Sequence, residues 1–481
     1  MKKLVFILPI LAMLIISCQT QSKKIATLSE VEGQKPNIIY ILADDLGYGD
    51  LSFQGQTHFQ TPNIDQLAKE GMTFTQHYAG STVCSPSRSV LLTGQHTGHT
   101  PIRGNKRDAF GNWPMTAESV TLAEILKENG YTTGAFGKWG LGYPGSERDP
   151  NNQGSDEFFG YNDQTLAHNY YPAFLNHNQD TVWLNENAGK ENEIYAPIPI
   201  HEQALKFIED NKNKPFFMYY PSVIPHAELF APEEYIEKYR GKFLPEKQFN
   251  GIDDGPKYKK GGYGSQSEAH AAFAAMINLL DDQVGEIVAK LKELGIDDNT
   301  IIMFSSDNGP HLEGGADPDY FDSNGIYKGY KRDLYEGGIH APMIVWWPGK
   351  VKAASTTNHI SAFWDLMPTI TELIGASTPE NIDGISFLPS LLGEKNQEKH
   401  NYLYWEFHEK NGRLAIRQGD WKLIRYDVFI PENTTTELYN LKTDPCEENN
   451  VANENPEITA KLLKLMESAR TPSDVFVFDK K

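Results

Sequence analysis

Cysteine is scarce: the 481 residues include three, Cys18, Cys84 and Cys446. So few thiols exclude a disulfide scaffold and a cysteine-rich zinc module, and leave stability to a hydrophobic core that this length allows. Cys446, in the turn Asp444-Pro445-Cys446-Glu447-Glu448, reads as an incidental thiol. Basic charge is short as well. Forty-four Lys and Arg against 64 Asp and Glu leave a net charge of −20, which excludes a general nucleic-acid binder. An acidic chain with an anionic ligand must gather its cations locally. No apolar run is long enough for a comfortable membrane span, and internal repeats and low-complexity tracts are missing, which excludes solenoids.

What is present begins with Lys2-Lys3 and the apolar run Leu4 to Ile16, the length of a signal-peptide core. The run ends in Ile15-Ile16-Ser17-Cys18, which resembles a bacterial lipoprotein box. This predicts a signal peptide over 1–17, lipid on Cys18, and a flexible polar tether over 18–35. The expected location is exported, periplasmic or on the cell surface, anchored to a bacterial membrane through that lipid. An ordinary cleaved signal that happens to hold a cysteine is the other reading.

Ordered structure is expected from Pro36. Asn37 to Ala43 is an apolar run of strand length that ends in Asp44-Asp45; Thr300 to Ser306 is a second, ending in Asp307-Asn308. Helical patterns (Asn63 to Glu70, Ser119 to Asn129, His201 to Asn211, Glu268 to Leu294) alternate with strand-like runs (Tyr131 to Phe136, Pro215 to Tyr220). The alternation predicts an α/β fold, a large mixed and mostly parallel sheet sandwiched by helices. Tyr143 to Gly160 and Gly251 to Ser265 read as long loops. Beyond about Gly393 short alternating runs (Tyr402 to Phe407, Arg413 to Arg417, Trp421 to Arg425) and a helical stretch from Pro456 to Arg470 predict a smaller antiparallel α+β subdomain. The division expected is a catalytic domain over 36–393 and a C-terminal subdomain over 394–481.

In open α/β sheets ligands bind beyond the carboxyl ends of the strands, where both acidic pairs fall. Asp44, Asp45, Asp307 and Asn308 offer oxygen only, which suits Ca²⁺ or Mg²⁺ rather than zinc. Three carboxylates converge only if a cation neutralises them. The segment Cys84-Ser85-Pro86-Ser87-Arg88-Ser89-Val90-Leu91-Leu92-Thr93-Gly94 carries the other signal. Pro86 suits the first turn of a helix, which places Cys84 at its positive end and Arg88 one turn on.

That segment, C-x-P-S-R then x-x-L-x-T-G, resembles the signature of the formylglycine-dependent sulfatases, of the alkaline-phosphatase-like superfamily. Gly137-Lys138-Trp139-Gly140-Leu141-Gly142 resembles the family segment G-K-W-H-L-G; Pro225-His226-Ala227 and Lys331 to Gly338 match two further motifs in family order. The resemblance spans about Pro36 to Arg470. It implies that a formylglycine-generating or anaerobic sulfatase-maturating enzyme converts Cys84 to formylglycine (3-oxoalanine), whose hydrate is the nucleophile. It also implies one Ca²⁺ held by Asp44, Asp45, Asp307, Asn308 and modified Cys84. Arg88 is expected to hold the hydrate, Lys138 and Lys331 to bind sulfate, and His226 with Lys331 to protonate the leaving oxygen. Gly140 replaces the usual histidine, a departure that His168 or His99 would have to compensate.

Substrate contacts are expected from His99, Arg103, His168, Trp405 and His408, with His96, Glu406, Trp113, Trp183 and Tyr170-Tyr171 as further candidates; for each aromatic, core packing between subdomains is the other reading. Gly140, Leu166 to His168 and Tyr170 to Pro172 resemble a carbohydrate-sulfatase subgroup of polysaccharide-degrading bacteria. The expectation is an exo-acting glycan sulfatase, with galactose or N-acetylgalactosamine sulfate esters first. A phosphoesterase or phosphonate hydrolase on the same fold and a non-catalytic sulfated-glycan-binding lipoprotein are the alternatives.

Overall fold

Asn37-Ile38-Ile39-Tyr40-Ile41-Leu42-Ala43 is apolar at almost every position because it is covered on both faces. It forms strand β1 (Asn37–Ala43), buried throughout. The computed structural model describes residues 35–107, 111–116, 118–187, 192–254 and 261–478. The expected signal peptide, Cys18 and nearly all of the tether lie outside the described residues. Within them, no helix is long and apolar enough to cross a membrane.

Among the described residues a ten-stranded sheet runs in the order β11 (Ser355–Thr357), β2 (Met72–Phe74), β10 (Met343–Trp346), β9 (Thr300–Ser306), β1, β8 (Phe216–Pro221), β4 (Thr132–Lys138), β5 (Glu157–Tyr161), β6 (Phe174–His177), β7 (Asp180–Trp183). Its middle is parallel: β9, β1, β8, β4 and β5. Antiparallel joins bring in β10 and β2 on one side, where β11 then pairs parallel to β2. The hairpin of β6 and β7 extends the other side.

Strand periodicity sends alternate β1 residues into two cores. Ile39 and Ile41 pack with helices Pro62–Glu70, Pro197–Asn211 and Ala269–Leu294; Ile38, Tyr40 and Leu42 pack with helices Cys84–Thr93, Leu122–Glu128 and Leu366–Ile374. The mixed, mostly parallel, helix-covered sheet expected from the alternation is present.

Several boundaries move for identifiable reasons. The helix expected from Ser119 begins at Leu122, because Thr121 and Glu124 form a reciprocal capping box. The helix expected from His201 starts earlier, with Pro197 in its first turn. The stretch Tyr143 to Gly160 is not loop throughout. Its end belongs to β5, where Gly160 pairs with Gly137 of β4. A Cβ on Gly160 would lie 2.1 Å from the Gly137 carbonyl, so the glycine that reads as a loop residue is there for close strand approach.

A separate four-stranded antiparallel sheet follows: β13 (Leu403–Phe407), β14 (Arg413–Gln418), β15 (Trp421–Tyr426) and β16 (Thr435–Asn440). Helix Pro456–Ser468 covers one face through Leu462 and Met466. The other face, with Trp405, Ala415, Ile424 and Tyr439, joins the core beneath the Cys84 helix.

Candidate active site

The parallel register of β1 and β9 aligns Ala43 with Ser306, so both acidic pairs leave the sheet side by side. Asp45 N–H donates to Asp307 Oδ1 at 3.0 Å, and Asp307 N–H to the Ala43 carbonyl at 3.0 Å. The helix Cys84–Thr93 starts against this edge, with Ser87 Oγ donating to the Asp307 carbonyl at 2.5 Å. Cys84 Sγ thereby lies 3.2 Å from Asp44 Oδ1 and 3.9 Å from Asp45 Oδ1.

Four basic side chains close around the acids. Arg88 donates to Asp307 Oδ2 at 2.9 Å, lies 3.2 Å from Asp44 Oδ2, and donates to the Lys138 carbonyl at 2.6 Å. Lys138 Nζ, at the end of β4, donates to Asp44 Oδ2 at 2.6 Å. Lys331 Nζ donates to Asp45 Oδ2 at 2.7 Å, and His226 Nε2 stands 3.6 Å from the same oxygen. All of these groups are buried.

Burial and charge together set the protonation states. Burial opposes ionisation of Asp44, but Lys138, His226, Arg88 and Lys331 outweigh it and hold the carboxyl well below the usual range. Asp307 goes the other way: burial and then Asp44 push it up to about 7. The Cys84 thiol is driven far up by burial and then by Asp307 and Asp44, so it stays protonated and unreactive as a thiol. His226 falls well below 6.5 through burial, Lys331 and Lys138, whereas Lys331 is held a cation by Asp45 against its burial.

These donors suit a hard cation. Asn308 Nδ2 donates to Asp45 Oδ1 at 2.6 Å, while its own Oδ1 is buried and has no protein partner. An unpaired buried amide oxygen beside three converging carboxylates is the donor set of Ca²⁺ or Mg²⁺.

Gly140 adopts φ +74°, and a Cβ there would meet Gln164 Oε1 at 3.1 Å and Ser85 Oγ at 3.8 Å. Gln164 is thus the side chain beside the position where the family carries histidine. Asn112 Nδ2 donates one proton to its Oε1 and the other to the Gly140 carbonyl, and the single Ser85 hydroxyl proton lies within reach of the same two oxygens. Of the two histidines expected to compensate, His168 stacks on His226 at 4.9 Å and bonds the Gly261 carbonyl through Nδ1. Burial and Lys138 depress His168 to about 4. A cavity of 280 Å³ is walled by His168, His226, Lys331, Gln164, Tyr263 and Glu409. His99 is not among its walls; its Nδ1 is 2.9 Å from Asp383 and its ring stacks on His96.

The remaining expected contacts divide. Arg103 is buried and tied to Glu406 and the Thr471 carbonyl; Trp405 is fully buried and donates to the Ala79 carbonyl. Neither walls the cavity. His408 bonds Glu406 at 2.9 Å and faces a neighbouring cavity. Tyr170 is also buried, and its hydroxyl reaches the Val223 and His226 carbonyls, which fixes the backbone carrying His226. Trp183 is 63% exposed on the outermost strand. Asn112, Gln164, Tyr263 and Glu409 were not legible as wall residues, since they come from loops without motif, and Arg332 occupies a variable position inside the Lys331 motif.

Carboxylates, lysines and a helix-borne Cys84 gathered at the strand ends of a parallel sheet define a hydrolase of anionic esters. The Sulfatase family matches residues 36–376, and the C-terminal region of N-sulphoglucosamine sulphohydrolase matches 325–471. The chain is 31% identical to an N-acetylgalactosamine-6-O-sulfatase of Bacteroides thetaiotaomicron over 91% of this chain and 94% of that one. It is 30% identical to the N-acetylgalactosamine-6-sulfatase of Mus musculus, over 81% of this chain and 72% of the relative. The crystal structure of Ps i-CgsB in complex with k-i-k-neocarrahexaose superposes with a TM-score of 0.74 at 29% identity, covering 90% of this chain and 92% of that one. The chain belongs to the sulfatase family and is a sulfuric ester hydrolase.

Proposed function

We propose that this chain removes sulfate esters from the ends of carbohydrates, using formylglycine made from Cys84 by a maturating enzyme, and one Ca²⁺. The observation that carries the reading is Cys84, 3.2 Å from Asp44 within a buried ring of Arg88, Lys138, Lys331 and His226. The names of the relatives put N-acetylgalactosamine sulfate first among substrates, ahead of galactose sulfate.

Asp44, Asp45, Asp307 and Asn308 would hold the cation, which supplies neutralising charge for a sulfate oxygen. Formylglycine supplies, through its hydrate, an oxygen nucleophile in place of the inert thiol. Lys138 and Lys331 stay charged and withdraw electron density from the sulfate oxygens. Arg88 orients the acids and caps the Lys138 carbonyl, so the strand ends keep one geometry. Lys331 presents protons towards the leaving oxygen. His226, neutral through burial beside Lys331 and Lys138, would take its charged form as the sulfate enters and pass the proton to the leaving oxygen.

The deciding experiment compares converted wild type with Cys84→Ala on aryl sulfate, aryl phosphate and N-acetylgalactosamine 6-sulfate. Turnover confined to sulfate esters and lost in Cys84→Ala, at unchanged circular dichroism, is expected. Near-normal activity of Cys84→Ala would overturn the reading. Lipid anchoring at Cys18 belongs to the same proposal: Cys18→Ser is expected to move the protein from the membrane to the soluble fraction of its native host.

A further inference from the structure

The catalytic cavity does not end at its own walls. Asn105, Lys106 and Glu409 also line a second cavity of 500 Å³, which continues over Phe429, Asp474 and Phe476. That volume lies within the range of about 300–1,000 Å³ typical of small-ligand pockets.

The shared ridge is fixed in place. Lys106 Nζ lies 4.7 Å from the centre of the Trp113 ring and donates to the Val475 carbonyl at 3.2 Å. Glu409 stands at the junction; one oxygen lies 4.0 Å from Arg332 Nε, and the other, Oε1, is buried without a protein partner. The Glu409 side chain is 40% exposed, so this carboxylate, on the wall common to two cavities, can accept a hydroxyl from a ligand. Beyond it the surface alternates apolar and polar: Phe476 packs at 5.6 Å from His408, while Asp474 and Val477 are exposed, the latter by 41%. Aromatic and aliphatic walls interrupted by carboxylate, amide and imidazole groups match the two faces of a sugar ring.

We propose that this second cavity is a subsite for the sugar unit adjoining the sulfated one, so that the enzyme reads an oligosaccharide rather than a single sulfated sugar. The proposal rests on the carbohydrate-sulfatase reading above. Glu409 accepts a hydroxyl at the junction, and the segment Asp474 to Val477 forms the far wall.

The test compares kcat/KM for an aryl sulfate, a 6-sulfated N-acetylgalactosamine monosaccharide and the trisaccharide carrying the same sulfated end. Converted wild type is expected to prefer the trisaccharide over the monosaccharide at least tenfold. Val477→Trp, which fills the cavity from an exposed side chain, and Asp474→Ala, a surface change, are expected to reduce that preference to threefold or less and to leave aryl sulfate turnover unchanged. Aryl sulfate turnover with equal kcat/KM for the two sugars, or an unaltered preference in both variants, overturns the subsite alone. Failure of converted wild type on every sulfate ester overturns the subsite together with the reading beneath it.

Discussion

Lys331 shows how much of the site is electrostatic arrangement rather than contact area. Its ammonium is buried, and Asp45 keeps it charged 2.7 Å away. Lys331→Ala is expected to lower kcat by about 10²–10³ with little change in KM, the loss typical of one oxyanion donor. Steady-state kinetics with an unchanged far-ultraviolet spectrum check it; a loss confined to KM would place Lys331 in ground-state binding only. At this scale the sequence was most legible where motifs carry chemistry. Asp44, Asp45, Cys84, Arg88, Lys138, His226, Asp307, Asn308 and Lys331 are brought together across nearly 290 positions of sequence, with one such pair, Asp45 and Lys331, separated by 286. Gln164 was not legible, because nothing in its local sequence tells that Gly140 leaves it room. Arg103 and Trp405 carry chemistry that suits a sugar, yet burial directs their polar groups to Glu406, Thr471 and Ala79.

Elements are joined by buried charge at two places that respond to mutation differently. Glu336, in the Lys331 motif, bonds Lys422 of β15 at 2.8 Å, and Lys422 lies 3.0 Å from Glu447. Tyr78 Oη and His340 add to the same carboxylate. Lys422→Met leaves two buried carboxyls without their cation and is expected to destabilise by about 3–5 kcal/mol, read from urea unfolding. The second place is Asp281, inside the long helix, which accepts Asn63 N–H at 3.1 Å and Ile64 N–H at 2.8 Å and so caps helix Pro62–Glu70. Burial, and more weakly Asp282, push it up to about 6. A carboxyl raised above its unfolded value favours folding while protonated, so this contribution is complete below about pH 4 and lost as pH rises through about 6. Asp281→Asn is therefore expected to gain on wild type by up to about 3 kcal/mol between pH 4 and pH 8. Paired urea titrations across that range check the sign. Helices and central strands were legible because their periodicity is continuous. Strand β16, Thr-Thr-Glu-Leu-Tyr-Asn, was not, since only its neighbour β15 supplies the reason for it to be extended.

The whole molecule is acidic, with a net charge of −20, yet it belongs to a family whose substrates are anions. The site resolves this by pairing each carboxylate with buried cations at the sheet edge, out of the reach of salt screening. A divalent cation held by Asp44, Asp45, Asp307 and Asn308 would tie the ends of β1 and β9, so its loss would act on global stability. At about 100 times Kd, calcium is expected to add about 2.7 kcal/mol to the unfolding free energy. Differential scanning calorimetry with calcium against chelator, on Cys84→Ala as well as wild type, measures it; equal melting temperatures in both proteins would remove the cation from this site. The overall architecture was legible from alternation alone, and so was a C-terminal subdomain packed on the first, whereas the face through which it packs was not. That packing depends on which face of β13 to β15 is apolar in space, and Trp405 shows the answer only once it is buried against Ala79.

Cys84 is 1% exposed, walled by its own helix, by two strand ends and by the lysines that face it. Access to that side chain is a matter of history rather than of affinity. Once the sheet has closed, a second protein has no line of approach to the sulfur, so the proposed conversion of Cys84 would have a deadline set by folding. Chain that has already folded with its thiol intact is expected to resist conversion by an added maturating enzyme, whereas the same chain presented during refolding is converted. The ratio of aldehyde to thiol in a preparation would then record how long the chain stayed open, as a clock stopped by folding.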